Sequence, residues 1–245
     1  MLKTLPIWQQ NHLNDCLDRE LFKDSKVLEV GGNTPEEVTK ELKVKKWICI
    51  DPLIGNYESD DKKYCKVNGS ISNFTKENEF DLIIATNSFE HIKNLDIAIN
   101  KMYGLLKYGG KLSALMGPIW SCHKGNHVWL VNNEYNITYN NSKIPDWGHL
   151  IYKEDELSEI ITPHYNHDVK EDLIRQIYYS DFVNRLFYDD YVKITKNSRF
   201  KILEFRDWHT SKLPDDNLQS LLEAKYNKKN FSTVSIKMLL EKTKR

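Results

Sequence analysis

Residues 27–34, Val-Leu-Glu-Val-Gly-Gly-Asn-Thr, constrain this chain more than any other stretch. An apolar run, Val27 to Val30, carries one carboxylate near its end, and Gly31-Gly32 breaks it. The spacing predicts a helix over 35–43 directly afterwards. A strand, a glycine turn and a helix N-terminus together let backbone approach a nucleotide closely. About twenty residues on, a second apolar run, Trp47-Ile-Cys-Ile50, stops at Asp51. An acidic residue at the tip of the neighbouring strand is placed to accept hydrogen bonds from ribose hydroxyls.

Further strands are expected at 26–30, 46–50, 64–67, 80–85 and 111–116, with helices at 7–22 and 95–107. Strands alternating with helices at this spacing specify an α/β fold, a doubly wound and mostly parallel sheet. Gly109-Gly110 is read as the cap that ends the helix before the strand at 111. After Gly117 the alternation stops. Residues 118–150, rich in Trp, His, Asn and Pro, read as a long ordered loop, and such loops are usually functional. Residues 153–161 and 168–195 are helical in composition. Late strands at 200–207 and 231–239 would close the sheet as an antiparallel pair. With no repeat and no low-complexity linker, residues 1–245 read as one domain, with 118–195 an inserted substrate-binding loop and helical cap.

Lys+Arg and Asp+Glu are equal at 35 each. No global field therefore exists to attract a polyanion, which argues against nucleic acid as a partner. The four cysteines show no C-x-x-C pairing, which suits a reduced, cytoplasmic protein. Neither a signal peptide nor an apolar run long enough for a membrane is expected.

The motifs resemble those of the seven-stranded S-adenosylmethionine (SAM)-dependent methyltransferases. The first motif of that family is matched by Glu29-Val30-Gly31-Gly32-Asn33, its acidic residue after the second strand by Asp51, and its fourth-strand motif by Phe80 to His91. Leu105 to Leu112 matches its helix–Gly–Gly–strand signature. The resemblance implies a seven-stranded sheet with an antiparallel last strand and SAM as cofactor, leaving S-adenosylhomocysteine. It implies cofactor contacts from Glu29, Gly31, Gly32, Asn33, Asp51, Pro52, Gly69, Ser70, Asn87 and Ser88. Asn33 stands where the family has Gly; Asn tolerates a left-handed backbone better than other non-Gly residues. A looser resemblance links Gly117-Pro-Ile-Trp-Ser121, His123, Gly125-Asn-His127 and Trp147-Gly-His-Leu150 to small-molecule methyltransferases of bacterial capsule and surface-polysaccharide gene clusters.

Methylation of a hydroxyl requires a base, and histidine titrates in the right range. The candidates are His127 first, then His123, His91 and His149; each is alternatively a loop or packing residue. A metal held by His123, His127, Asp146 and His149 is not favoured, because the i,i+4 spacing of the first pair falls in irregular chain. Glu90-His91 should face the cofactor. The aromatic run 178–191 is either a lid over the acceptor or core and subunit interface, which makes a homodimer plausible. Arg175, Arg185 and Arg199 are candidate phosphate contacts or solvated side chains.

The leading expectation is O-methylation of a small polar acceptor, such as a nucleotide-activated sugar or a phosphate-derived, phosphoramidate-like polysaccharide decoration. The alternatives are N- or C-methylation of a small metabolite, a nicotinamide-dependent oxidoreductase, and a non-catalytic SAM-binding module. The Tyr103-x-x-x-Lys107 spacing found in short-chain dehydrogenases is read as helix surface.

Overall fold

The computed structural model describes residues 2–244. Its sheet is built from β1 (Lys26–Val30), β2 (Lys46–Asp51), β3 (Tyr57–Glu58), β4 (Tyr64–Asn68), β5 (Phe80–Thr86), β6 (Leu106–Met116), β9 (Lys201–Thr210) and β10 (Thr233–Glu241). A separate hairpin pairs β7 (Trp129–Val131) with β8 (Asn136–Thr138). The sheet order is β3-β4-β2-β1-β5-β6-β10-β9. The strands from β4 to β6 run parallel. The antiparallel members are β10, inserted between β6 and β9, and the two-residue edge strand β3. The expected count of seven thus becomes eight, because β3 is too short to leave a sequence signal. The continuous apolar runs of β1, β2 and β5 are buried, as central parallel strands covered on both faces must be.

The helices are α1 (Ile7–Asp18), α2 (Glu36–Glu41), α3 (Leu95–Leu105), α4 (Gly148–Ile151), α5 (Glu154–Ile161), α6 (His167–Tyr178), α7 (Tyr188–Asn197) and α8 (Asp216–Tyr226). Several boundaries differ from expectation. Helix α1 stops at Asp18 rather than running to 22. Gly109-Gly110 does not cap α3. That helix ends at Leu105 and both glycines lie inside β6, beside the irregularity between Phe80 and Leu82. The 118–150 loop contains the β7–β8 hairpin and α4.

The helical run 168–195 is broken at 179–187. There Arg185 adopts φ +58°, and its guanidinium donates to the carbonyls of Ile177 and Ser180. Helix α8 was not expected at all. Asp215 starts it by accepting the Leu218 amide, and Asn227, at φ +51°, ends it.

Packing divides into layers. One core fills the face of the sheet under α3, from Leu28 and Ile83 to Met102 and Tyr191. Another joins α1 and α2 to the opposite face through Leu13, Phe22, Val38 and Trp47. A third belongs to the cap, with Trp147, Leu157, Leu173, Ile177 and Phe187 at its heart. Leu222 and Phe231 join that core, so the cap draws on chain beyond residue 195. Tyr103 is buried against Phe200 at 5.0 Å and is not helix surface; Lys107 does face solvent, pairing with Asp81.

Candidate active site

The carboxyl ends of β1, β2, β4 and β5 open onto a cavity of about 590 Å³, within the range of small-ligand and cofactor sites. Gly31, Asp51, Pro52, Gly69, Ser70, Asn87 and Ser88 line it. Gly31 has φ +70°, and a Cβ there would fall 2.3 Å from Ser88 Cβ, so only glycine fits. Ser88 Oγ donates to the Val30 carbonyl at 2.8 Å and ties the β5 end to the turn. Asp51 Oδ1 accepts the Leu53 amide at 2.7 Å, which holds the carboxylate at the strand tip. The apolar walls are Ile50, Ile71, Ile92 and Phe182, the last reaching over from the cap.

Glu29, Gly32 and Asn33 stand apart from this lining. Glu29 is buried and turned into the protein, where it accepts from the Thr34 amide (3.1 Å) and hydroxyl (2.6 Å), Trp47 Nε1 (2.9 Å) and Cys49 Sγ (3.0 Å). It organises the turn from behind. Gly32 is required by that packing, since a Cβ would meet the Glu29 carboxylate at 2.1 Å.

A second, smaller cavity of about 230 Å³ lies beside the first. Asn87, at φ +47°, is common to both. Trp8, Trp208 and Tyr139 supply aromatic walls, and His123, Lys124 and His209 supply nitrogen-bearing ones. Trp8 and Trp208 carried no signal in the sequence, because they come from α1 and β9, far apart along the chain.

Behind the walls of the two cavities, three polar side chains converge. Glu90, His91 and His127 present ligand-type atoms that all lie within 4.8 Å of one another. His91 lines the larger cavity. Its Nδ1 donates to the Phe182 carbonyl at 2.7 Å, leaving Nε2 as the acceptor nitrogen. His127 stacks edge-on to His91 at 5.3 Å and lies 5.7 Å from Tyr139. Glu90 is 1 % exposed, and its Oε1 accepts the Gly117 amide at 3.1 Å. Burial pushes the Glu90 carboxyl up to about 8 and the His127 imidazole down to about 3, and it lowers His91 as well.

The other two histidines are placed differently. His149 is interior, its Nε2 donating to the Trp120 carbonyl at 2.8 Å, and burial pushes it down to about 4. His123 rests against Trp147 at 5.6 Å and faces the smaller cavity. Asp146 is engaged by Lys124 (3.1 Å) and Lys212 (2.5 Å), so the quartet His123, His127, Asp146 and His149 does not assemble as a ligand set. Of the candidate phosphate contacts, Arg175 pairs with Asp172, Arg185 holds carbonyls and lies over Trp120, and Arg199 lies over Tyr103. Each is accounted for within the fold.

Residues 28–114 match the family model described as a methyltransferase domain. Over that stretch the chain is similar to methyltransferase domains. The chain is therefore an enzyme, and SAM is its cofactor. The match spans about a third of the chain and ends before the cap.

Solved structures resemble the fold over nearly the full length. A candidate SAM-dependent methyltransferase from Listeria monocytogenes aligns with TM-score 0.52 at 14% identity, covering 96% of this chain and 98% of that one. The YcgJ protein of Bacillus subtilis aligns with TM-score 0.50 at 10% identity, covering 96% and 99%. Phosphoethanolamine N-methyltransferase 2 of Haemonchus contortus, solved with SAM, aligns with TM-score 0.50 at 14% identity, covering 96% of this chain and 53% of that one. These likenesses extend to the fold alone. No curated protein sequence matches the chain. Among the described residues no helix is long and apolar enough to cross a membrane.

The larger cavity fits an adenosyl cofactor on its own features. It combines a glycine turn that lets backbone pass close, a carboxylate at the neighbouring strand tip, and apolar walls for a base.

Proposed function

We propose that the protein is a SAM-dependent O-methyltransferase of a small polar acceptor. When bound, SAM supplies a methyl on a sulfonium sulfur, which departs as the neutral thioether of S-adenosylhomocysteine. Asp51 and the backbone around Gly31 and Gly69 hold the adenosyl half in the larger cavity, and Ser70, Asn87 and Ser88 complete its floor. The smaller cavity receives the acceptor. Its indole and phenol faces suit a ring, and the imidazoles of His123 and His209 suit a phosphate or other polar group, as a nucleotide-activated sugar carries. Methyl transfer is then a matter of holding two reactants at near-attack distance across Asn87. The observation that carries this reading is that two cavities share Asn87, with His91 lining the larger one and Gly117 and Tyr139, which line the smaller one, touching Glu90 and His127 behind them. That cluster activates the acceptor hydroxyl, whose proton must leave as the new C–O bond forms.

His127, first choice as base from the sequence, serves poorly alone, because burial makes it a weak base. The same weakness favours a second reading, N-methylation of an amine that arrives with its lone pair available. Incubating the protein with methyl-labelled SAM and a panel of nucleotide sugars, sugar phosphates and amines separates the two. Label on oxygen in a phosphate-bearing sugar supports the first reading, and label on nitrogen replaces it with the second. A capsule or glycan gene neighbourhood would support the polysaccharide assignment. Calorimetry with S-adenosylhomocysteine and with NAD tests the cofactor; NAD binding in place of S-adenosylhomocysteine overturns the whole reading.

A further inference from the structure

We infer that Glu90, His91 and His127 form a binding site for one divalent transition-metal ion, placed between the donor and acceptor cavities. The residues are a carboxylate and two imidazoles, a donor set that suits zinc, iron, cobalt or manganese and leaves coordination positions open to a ligand.

Three independent observations point to a ligand here. First, Glu90 is 1 % exposed, its Oε2 has no hydrogen-bond partner, and among the described residues no lysine or arginine forms an ion pair with it. A buried carboxyl without a partner either keeps its proton or coordinates a cation. Second, His127 is 8 % exposed and its Nδ1 also lacks a partner. It holds a left-handed backbone, φ +53°, which costs free energy in a non-glycine residue and recurs where geometry serves a site. Third, His91 already has the outer hydrogen bond of a metal-bound histidine. Its Nδ1 donates to the Phe182 carbonyl, so the tautomer is fixed with Nε2 ready to ligate.

Ligands at about 2.1 Å from one tetrahedral ion lie about 3.4 Å apart, so the three side chains must draw in by at most about 1.4 Å.

The site rests on the proposed function for its role but not for its existence. Gly117 and Tyr139 connect it to the acceptor cavity, and His91 to the donor cavity. An ion there fixes an acceptor oxygen and lowers the pKa of its hydroxyl, so the proton leaves to solvent without a strong protein base.

The test uses the full-length, tag-free protein, stripped with a chelator and titrated with Co²⁺ while visible absorption is followed. The expected result is one cobalt per chain, with the intense bands of a four- or five-coordinate ion and displacement by Zn²⁺. Glu90→Gln and His127→Ala should each weaken cobalt affinity by about 100-fold or more, while S-adenosylhomocysteine binding shows that the variants are folded. Glu90→Gln keeps an oxygen for the Gly117 amide, so a purely structural glutamate predicts unchanged cobalt binding. Absence of cobalt binding by the unsubstituted protein, or equal binding by Glu90→Gln, overturns the site. Cobalt binding is read without turnover. A failed acceptor assay therefore leaves this result standing, and a failed titration leaves the methyl-transfer reading standing.

Discussion

At the scale of single residues, the donor cavity depends on positions where a side chain either cannot exist or must exist. Gly31→Ala forces a Cβ to 2.3 Å from Ser88 Cβ at φ +70°. It should cost about 2–4 kcal/mol of stability and abolish detectable S-adenosylhomocysteine binding, as thermal melts with and without ligand would show. Asp51→Ala leaves the fold intact because the carboxylate sits at a strand tip, but it should weaken that ligand by about tenfold or more in calorimetry. Unchanged affinity would remove Asp51 from the site. Both residues were legible in the sequence, since turn geometry and strand-tip placement are local. Glu29 was legible only as a member of its motif. That it faces Thr34, Trp47 and Cys49 rather than the cavity depends on a neighbouring strand, which spacing along one strand does not encode.

At the scale of elements, the strands of the parallel sheet and the helices α1 to α3 were readable because each carries its own apolar period. The pieces that escaped were those whose stability comes from elsewhere. Strand β3 has two residues, the β7–β8 hairpin leans on the cap, and α8 has a weakly amphipathic sequence anchored by Leu222 in the cap core. The meeting of Glu90 and His127 was likewise hidden, because thirty-seven positions of chain separate them.

Docking of α1 has a measurable signature. His12, on its buried face, meets Thr86 Oγ1 and Ser113 Oγ, both at 2.8 Å, and burial pushes it down to about 3. Above pH 6.5 His12 is neutral whether the chain is folded or not, and it contributes no pH dependence. Below that, the unfolded chain takes up the proton first, so stability falls by about 1.4 kcal/mol per pH unit until the folded-state value is passed. Denaturant titrations from pH 7 to pH 4 should show this decline added to that of the buried His127 and His149, and His12→Gln should make it shallower by about 1.4 kcal/mol per pH unit.

At the scale of the whole molecule, the cap and the sheet share the donor cavity through Phe182, which touches His91 at 4.4 Å between ring centres. Phe182→Ala should weaken S-adenosylhomocysteine by about tenfold, the loss of one aromatic wall. Lys93→Ala, which breaks the exposed pair with Asp181 at 2.9 Å beside it, should leave stability within about 0.5 kcal/mol. Equal effects from the two variants would mean that charge, and not the ring, closes the cavity.

The insertion of β10 between β6 and β9 has a consequence for biosynthesis. During translation β9 leaves the ribosome before the strand that will bridge it to the rest of the sheet. Until β10 follows, both flanking strands expose open hydrogen-bonding edges, the kind of surface that chaperones cover and that aggregates recruit. A released chain ending at residue 232 would therefore present two sticky borders where the finished enzyme has a continuous seam.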